Sequence, residues 1–145
     1  MFTISKEFAF SASHQLDGLP ADHPCSRLHG HNYTIKLTLT GDLDDIGFVH
    51  DYRALAPFKE YLDNVLDHRH LNDILEGNPT AERMSAHLCK VAVRCLEIPR
   101  TVFRVAIGVS ETPKTWAESS VDIDGLYWNQ RYRWGRESRE AEGAK

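Results

Sequence analysis

Apolar residues take every second position at the start of the chain. Phe2, Ile4, Phe8 and Phe10 alternate with other residues, and a period of two marks a strand with one buried face. Lys6 is the one break in that face. The run HNYTIKLTLTG repeats the alternation, with Tyr33, Ile35, Leu37 and Leu39 opposite Thr34, Lys36, Thr38 and Thr40, and predicts a second strand ended by Gly41. From Leu55 the period changes. Leu55, Phe58, Leu62, Val65 and Leu66 recur at helical spacing and predict one amphipathic helix reaching the segment LDHRHLND, with Pro57 near its first turn, where a missing N–H costs little. A second helix is predicted to open at Asn78-Pro79-Thr80, with Thr80 as N-cap and Glu82 near the positive dipole end. Its stripe is Met84, Leu88, Val91 and Cys95, and Pro99 closes it. Alternation returns in Phe103, Val105, Ile107 and Val109, a third strand running into Glu111. The predicted order is β-β-α-α-β.

Beyond Pro113 the pattern weakens. SVDIDGLYW holds an Asp-Gly turn between two short apolar stretches, which suggests a hairpin, and RESREAEGAK reads as a solvated tail. No repeat or linker divides the chain, so residues 1–135 are expected to form a single domain and 136–145 the tail. That length suits one compact core: the chain has 145 residues, 41% of them hydrophobic and 26% charged. With 17 basic against 21 acidic residues and a net charge of −4, it offers no basic field for a nucleic acid backbone. No N-terminal signal pattern and no bilayer-length apolar run are present, so a cytoplasmic protein without a membrane partner is expected. Three cysteines, Cys25, Cys89 and Cys95, do not form a disulfide framework; Cys89 and Cys95 fall in the helical pattern and read as small buried hydrophobes.

The chemistry concentrates in the loop between the first two strands and at its borders. In His29-Gly30-His31 the imidazoles are two residues apart at a strand entrance and project to the same side. His14 ends the first strand, and strand pairing can bring it alongside. Three neutral nitrogen ligands with an open fourth position are the donor set of a catalytic zinc ion. Spacing alone leaves a metal centre and three ordinary histidines equally open, because His-x-His is a short motif. Cys25, four residues before His29, tips the balance, since a thiol beside a divalent cation acquires a lowered pKa and can act as base or nucleophile.

Six segments in order, FSASH, CSRLHGH, GFVHDY, LDHRHLN, NPTAE and VSET, resemble the 6-pyruvoyl-tetrahydropterin synthase superfamily, and within it the bacterial 6-carboxy-5,6,7,8-tetrahydropterin synthases of the queuosine and deazapurine pathway. The three residues between Cys25 and His29 favour that carboxy branch over the pyruvoyl branch, where the gap is typically five. The resemblance implies an α+β tunnelling fold (T-fold): a four-stranded antiparallel sheet with two helices on one face, closed by trimers into an oligomeric barrel and stacked as a hexamer. It implies Zn2+ on His14, His29 and His31 and 7,8-dihydroneopterin triphosphate as substrate. Cys25 would be the proton acceptor. His68, paired with Asp67, would shuttle protons from a neighbouring chain; adjacent residues rarely point the same way, so that pairing rests on the resemblance. Glu111 would anchor the pterin, and Thr80 would add a hydroxyl contact. Arg27 is a candidate for the triphosphate, with a solvated loop residue as the alternative. His23, His50, His70 and His87 carry no motif support as ligands. The rival readings are a pyruvoyl-type synthase, a non-catalytic pterin- or metal-binding member of the fold, and a generic zinc hydrolase. Trp128, Tyr132 and Trp134, interleaved with Arg131, Arg133 and Arg136, either cover a neighbouring subunit or close the sheet.

Overall fold

In a computed structural model, which describes residues 1–124, two thirteen-residue strands, β1 (Phe2–His14) and β2 (His29–Gly41), form the spine. They pair antiparallel along their whole length, from Phe2 opposite Gly41 to His14 opposite His29. β4 (Val102–Thr112) pairs with β2, and β5 (Thr115–Asp122) with β4, both antiparallel. A two-residue strand, β3 (Arg69–His70), runs parallel to β1 on its free edge, giving the order β3-β1-β2-β4-β5. The expected four-stranded antiparallel sheet is therefore present, with one short parallel strand added. β5 is the strand that alternation did not find: its inward positions are Ala117, Ser119 and Val121, too small or polar to stand out, and its turn with β4 is at Pro113-Lys114 rather than at the Asp-Gly pair. The predicted tail and the Asp-Gly hairpin beyond Asp124 lie outside the described residues.

One face of the sheet carries the core. Phe8 and Phe10 of β1, Tyr33, Ile35, Leu37 and Leu39 of β2, and Val105, Ile107 and Val109 of β4 are buried on it. Lys6, the polar position on this face, is half-buried, and its ammonium sits 5.5 Å from the centroid of the Phe8 ring. Two helical segments cover the core. α2 (Ala81–Cys95) follows the expectation, with Thr80 as N-cap accepting from Arg83 N–H and Met84, Leu88 and Ala92 buried. The other is not one helix. It is a 3-10 turn (Tyr52–Leu55), a short helix α1 (Ala56–Tyr61) and a π turn (Leu62–Leu66). The apolar spacing survives, with Leu55, Phe58, Leu62 and Leu66 all buried, but the π turn closes through Asp67 N–H donating to Leu62 O five residues back. That widened turn delivers Asp67 and His68 to β1.

Two features of the packing generate predictions. A Cβ on Gly41 would lie 2.5 Å from Thr101 O, a backbone atom that cannot swing away. Gly41→Ala is expected to lower the urea midpoint by an amount equivalent to about 1–3 kcal/mol while leaving the m-value unchanged. His87 is half-buried between α1 and α2, 2.7 Å from the Tyr61 hydroxyl, and burial, with smaller help from Lys90 and Arg94, pushes its pKa down. The unfolded chain therefore takes up a proton on His87 near the usual histidine value of about 6.5, where the folded chain resists it. Stability should hold above that pH and fall as acidification passes below it, and His87→Gln should reduce the slope of unfolding free energy between pH 7 and 5.

Candidate metal centre and pterin pocket

The pairing of β1 with β2 puts His14 opposite His29 and Ala12 opposite His31, so the three imidazoles cluster on the core face at the end of the sheet. Their ring centroids are 4.5, 5.0 and 4.9 Å apart, and one nitrogen from each falls within 4.8 Å of the other two. His14 is buried; His29 and His31 are half-buried.

Two tautomers are fixed by backbone carbonyls, which only accept. His14 Nδ1 donates to Pro79 O at 2.9 Å, with the Tyr33 hydroxyl 3.3 Å from the same nitrogen, and His29 Nδ1 donates to Arg27 O at 2.7 Å. Each ring therefore presents an unprotonated Nε2, and these two nitrogens face one another at 2.9 Å. Two lone pairs at that distance repel unless a cation lies between them. The donor set fits a divalent ion: three neutral imidazoles, two of them oriented by carbonyls, with no competing thiol pair. Burial, opposed by Glu111, lowers the His31 pKa and favours the neutral form a metal requires.

Glu111 stands beside this cluster, as the parity of β4 predicts, with Oε1 4.0 Å from His14 Nε2. It is half-buried; burial of Tyr33 first, and the Glu111 charge second, push the Tyr33 pKa up. Glu111 and Thr80 line one cavity of about 280 Å³ together with Leu16, Glu82 and Val109. The Thr80 oxygen is engaged by the α2 cap, which leaves its proton free to donate.

Cys25 lies in a 3-10 turn (Pro24–Ser26), half-buried, and its carbonyl accepts from Leu16 N–H at 2.9 Å, which ties its backbone to the residue two past His14. Arg27 is exposed, and the structure gives its backbone a task the sequence did not suggest, orienting His29.

Asp67 and His68 do pair directly, with His68 Nδ1 2.8 Å from Asp67 Oδ2. The expectation that neighbours point apart fails here because His68 has φ 56°, a left-handed backbone that turns its ring back over the preceding carboxylate. Asp67 Oδ1 accepts from Ser11 N–H at 2.9 Å and Ser11 O accepts from His68 N–H at 2.7 Å, so β1 holds the pair from both sides. The Ser11 N–H bond first, and the bond to the His68 ring second, lower the Asp67 pKa. His68 is exposed and lines a groove with Ser11, Ser13, His31, Asn32 and His70. His70 pairs with Ser13 Oγ at 3.0 Å, a structural partner rather than a member of the histidine cluster.

Sequence reasoning quoted LDHRHLN and NPTAE without a task for their asparagines. Asn72 accepts from Gln15 N–H at 2.9 Å and donates to Gln15 O at 2.7 Å; Asn78 does the same for Asp17 at 2.7 and 2.8 Å. Each carboxamide acts as a partner strand for one residue of the loop that leaves β1. The signal available was an asparagine at the border of each of two segments far from the loop, Asn72 closing the first and Asn78 opening the second.

The 6-pyruvoyl tetrahydropterin synthase family model matches residues 3–121. The chain is 33% identical over 104 residues to a 6-carboxy-5,6,7,8-tetrahydropterin synthase of Haemophilus influenzae, covering 68% of this chain and 71% of the relative. It is 38% identical over 93 residues to a protein of the same name from Synechocystis, covering 59% and 70%. Among solved structures, a catalytic-residue variant of the Plasmodium vivax 6-pyruvoyltetrahydropterin synthase superposes with a TM-score of 0.71 at 20% identity, covering 84% of this chain and 98% of that one. A match over nearly all the described residues, joined to the shared fold and the paired-strand histidine cluster, places this chain in the 6-pyruvoyl tetrahydropterin synthase family.

Proposed function

We propose that this protein converts 7,8-dihydroneopterin triphosphate and one water molecule to 6-carboxy-5,6,7,8-tetrahydropterin, releasing acetaldehyde and triphosphate. The observation that carries the reading is the pair of facing Nε2 atoms of His14 and His29 at 2.9 Å with Glu111 Oε1 4.0 Å from one of them. A pterin held by its ring at Glu111 has its side chain beside the histidine cluster. A zinc ion bound by His14, His29 and His31 would supply Lewis acidity toward the side-chain hydroxyl oxygens.

The chain's own groups do the rest. Glu111 accepts the two adjacent donors of the pterin, its 2-amino group and N3–H, and the Thr80 hydroxyl adds a contact in the same cavity. Cys25, as thiolate, takes the proton from the side-chain carbon. His68 moves protons, with Asp67 fixing its tautomer and supporting its cation. Arg27 is free to reach the triphosphate with its guanidinium while its carbonyl holds His29. In this reading Asp67 and His68 act on a neighbouring subunit's pterin within a hexamer of two stacked trimers. The enzyme works in the cytoplasm, and its product feeds deazapurine synthesis, toward queuosine or a related secondary metabolite.

The test is product analysis by mass after incubating the zinc-loaded protein with 7,8-dihydroneopterin triphosphate. Acetaldehyde in equal amount to a 6-carboxy pterin is expected; a product that keeps all three side-chain carbons would overturn the assignment in favour of the pyruvoyl reaction. His29→Ala should lose its zinc by metal analysis of the purified protein. Cys25→Ala should keep zinc and lose about 10²–10⁴-fold in turnover, the usual range for a positioned proton acceptor.

A further inference from the structure

Cys25 sits on the loop between β1 and β2, after a stretch, residues 17–24, that is exposed throughout. Exposed loops open readily. A proton acceptor that opens with its loop is of little use, because about 1 Å of misplacement can cost on the order of 10²-fold in rate. The backbone that carries the thiol therefore needs an anchor, and the chain leaving β1 supplies one.

Along residues 15–17 the hydrogen bonds alternate in direction. Gln15 and Asp17 give their N–H and C=O groups to the carboxamides of Asn72 and Asn78, at distances between 2.7 and 2.9 Å. Leu16, between them, turns the other way and donates its N–H to Cys25 O at 2.9 Å. An extended chain serves a neighbour on each side in this manner. Here one neighbour is a pair of asparagines and the other is the turn that holds Cys25. The Gln15 side chain adds a second tie, its Nε2 donating to Ser26 O at 2.8 Å. Two successive carbonyls, of Cys25 and Ser26, are thus fastened to Leu16 and Gln15.

The turn is closed within itself. Cys25 N–H donates to His23 Nδ1 at 3.1 Å, the Ser26 N–H and hydroxyl both donate to His23 O at 3.0 and 2.7 Å, and Arg27 N–H donates to Pro24 O at 3.2 Å. Residues 23–27 therefore move as one piece, and the ties to residues 15 and 16 set where that piece stands. Asn72 is itself well anchored, in the 3-10 turn Leu71–Asp73 directly after the buried Leu71. Asn78 shares the task, but it borders Pro79 and Thr80, so a change there would also disturb His14 and the start of α2.

We infer that Gln15 and Asn72 are positioning residues: their carboxamides fix where the Cys25 thiol stands relative to the histidine cluster. The consequence for the reaction rests on the reading of Cys25 as the proton acceptor. Two variants of the zinc-loaded, full-length protein test it, Gln15→Leu, which removes the donor at an exposed position, and Asn72→Ala. Alkylation by iodoacetamide, read at each cysteine by peptide mass, needs no turnover. Cys25 should react about tenfold faster in either variant as the loop opens more often, while the buried Cys89 keeps its wild-type rate and reports an intact core. Gln15→Leu should also lower kcat by about tenfold, with the KM for the pterin triphosphate and the zinc content unchanged. Added to Cys25→Ala it should change turnover by less than about twofold, because the group it positions is gone. An unchanged alkylation rate at Cys25 overturns the inference. So does an equal loss of turnover with and without the Cys25 thiol, which marks general structural damage. Faster alkylation of Cys25 in Gln15→Leu together with full turnover in Cys25→Ala would instead remove the role given to Cys25 and leave the fastening supported. If Asn72→Ala fails to fold, Gln15→Leu decides alone.

Discussion

Everything in the site depends on the register of one pair of strands. Thirteen residues of β1 lie against thirteen of β2 without a slip, and only in that register does His14 face His29 with His31 on the same side. A shift of one residue would turn every side chain of one strand to the other face, sending Phe8 and Phe10 into solvent together with His14. The core and the histidine cluster are therefore set by a single alignment. Burial of Phe8, Phe10, Tyr33 and Ile35 enforces it.

A second layer acts through the backbone. The turn Asn78-Pro79-Thr80 holds the loop after β1 through the Asn78 carboxamide, fixes the His14 tautomer through the Pro79 carbonyl, and starts α2 through the Thr80 hydroxyl. Three consecutive residues thus join the loop, His14 and the helix in one rigid piece. The π turn does comparable work on the other flank. Its extra residue per turn carries Asp67 to the Ser11 N–H, and the left-handed His68 then folds back onto the carboxylate.

Legibility in the sequence followed physical scale. Strands with large apolar residues on one parity and the long helix with a capped start were readable, because alternation and capping are local. β5 was not, since Ala117 and Ser119 give no contrast, and neither was the division of 52–66, because 3-10, α and π turns share nearly the same apolar spacing. The histidine cluster was an open possibility on spacing and became specific only through Cys25 and the accompanying segments. The carbonyls of Arg27 and Pro79 were invisible: any residue has a carbonyl, and only the fold says where it points.

The two asparagine clamps have a consequence for the rim of the sheet. Where a strand runs out, unpaired amide groups invite another chain to continue the ladder. Here the first such residue after β1, Gln15, has both backbone groups taken by Asn72, and Asp17 has both taken by Asn78. Along that rim the molecule has already supplied its own counterfeit strand, built from side chains, and an intruding peptide finds Gln15 and Asp17 already taken.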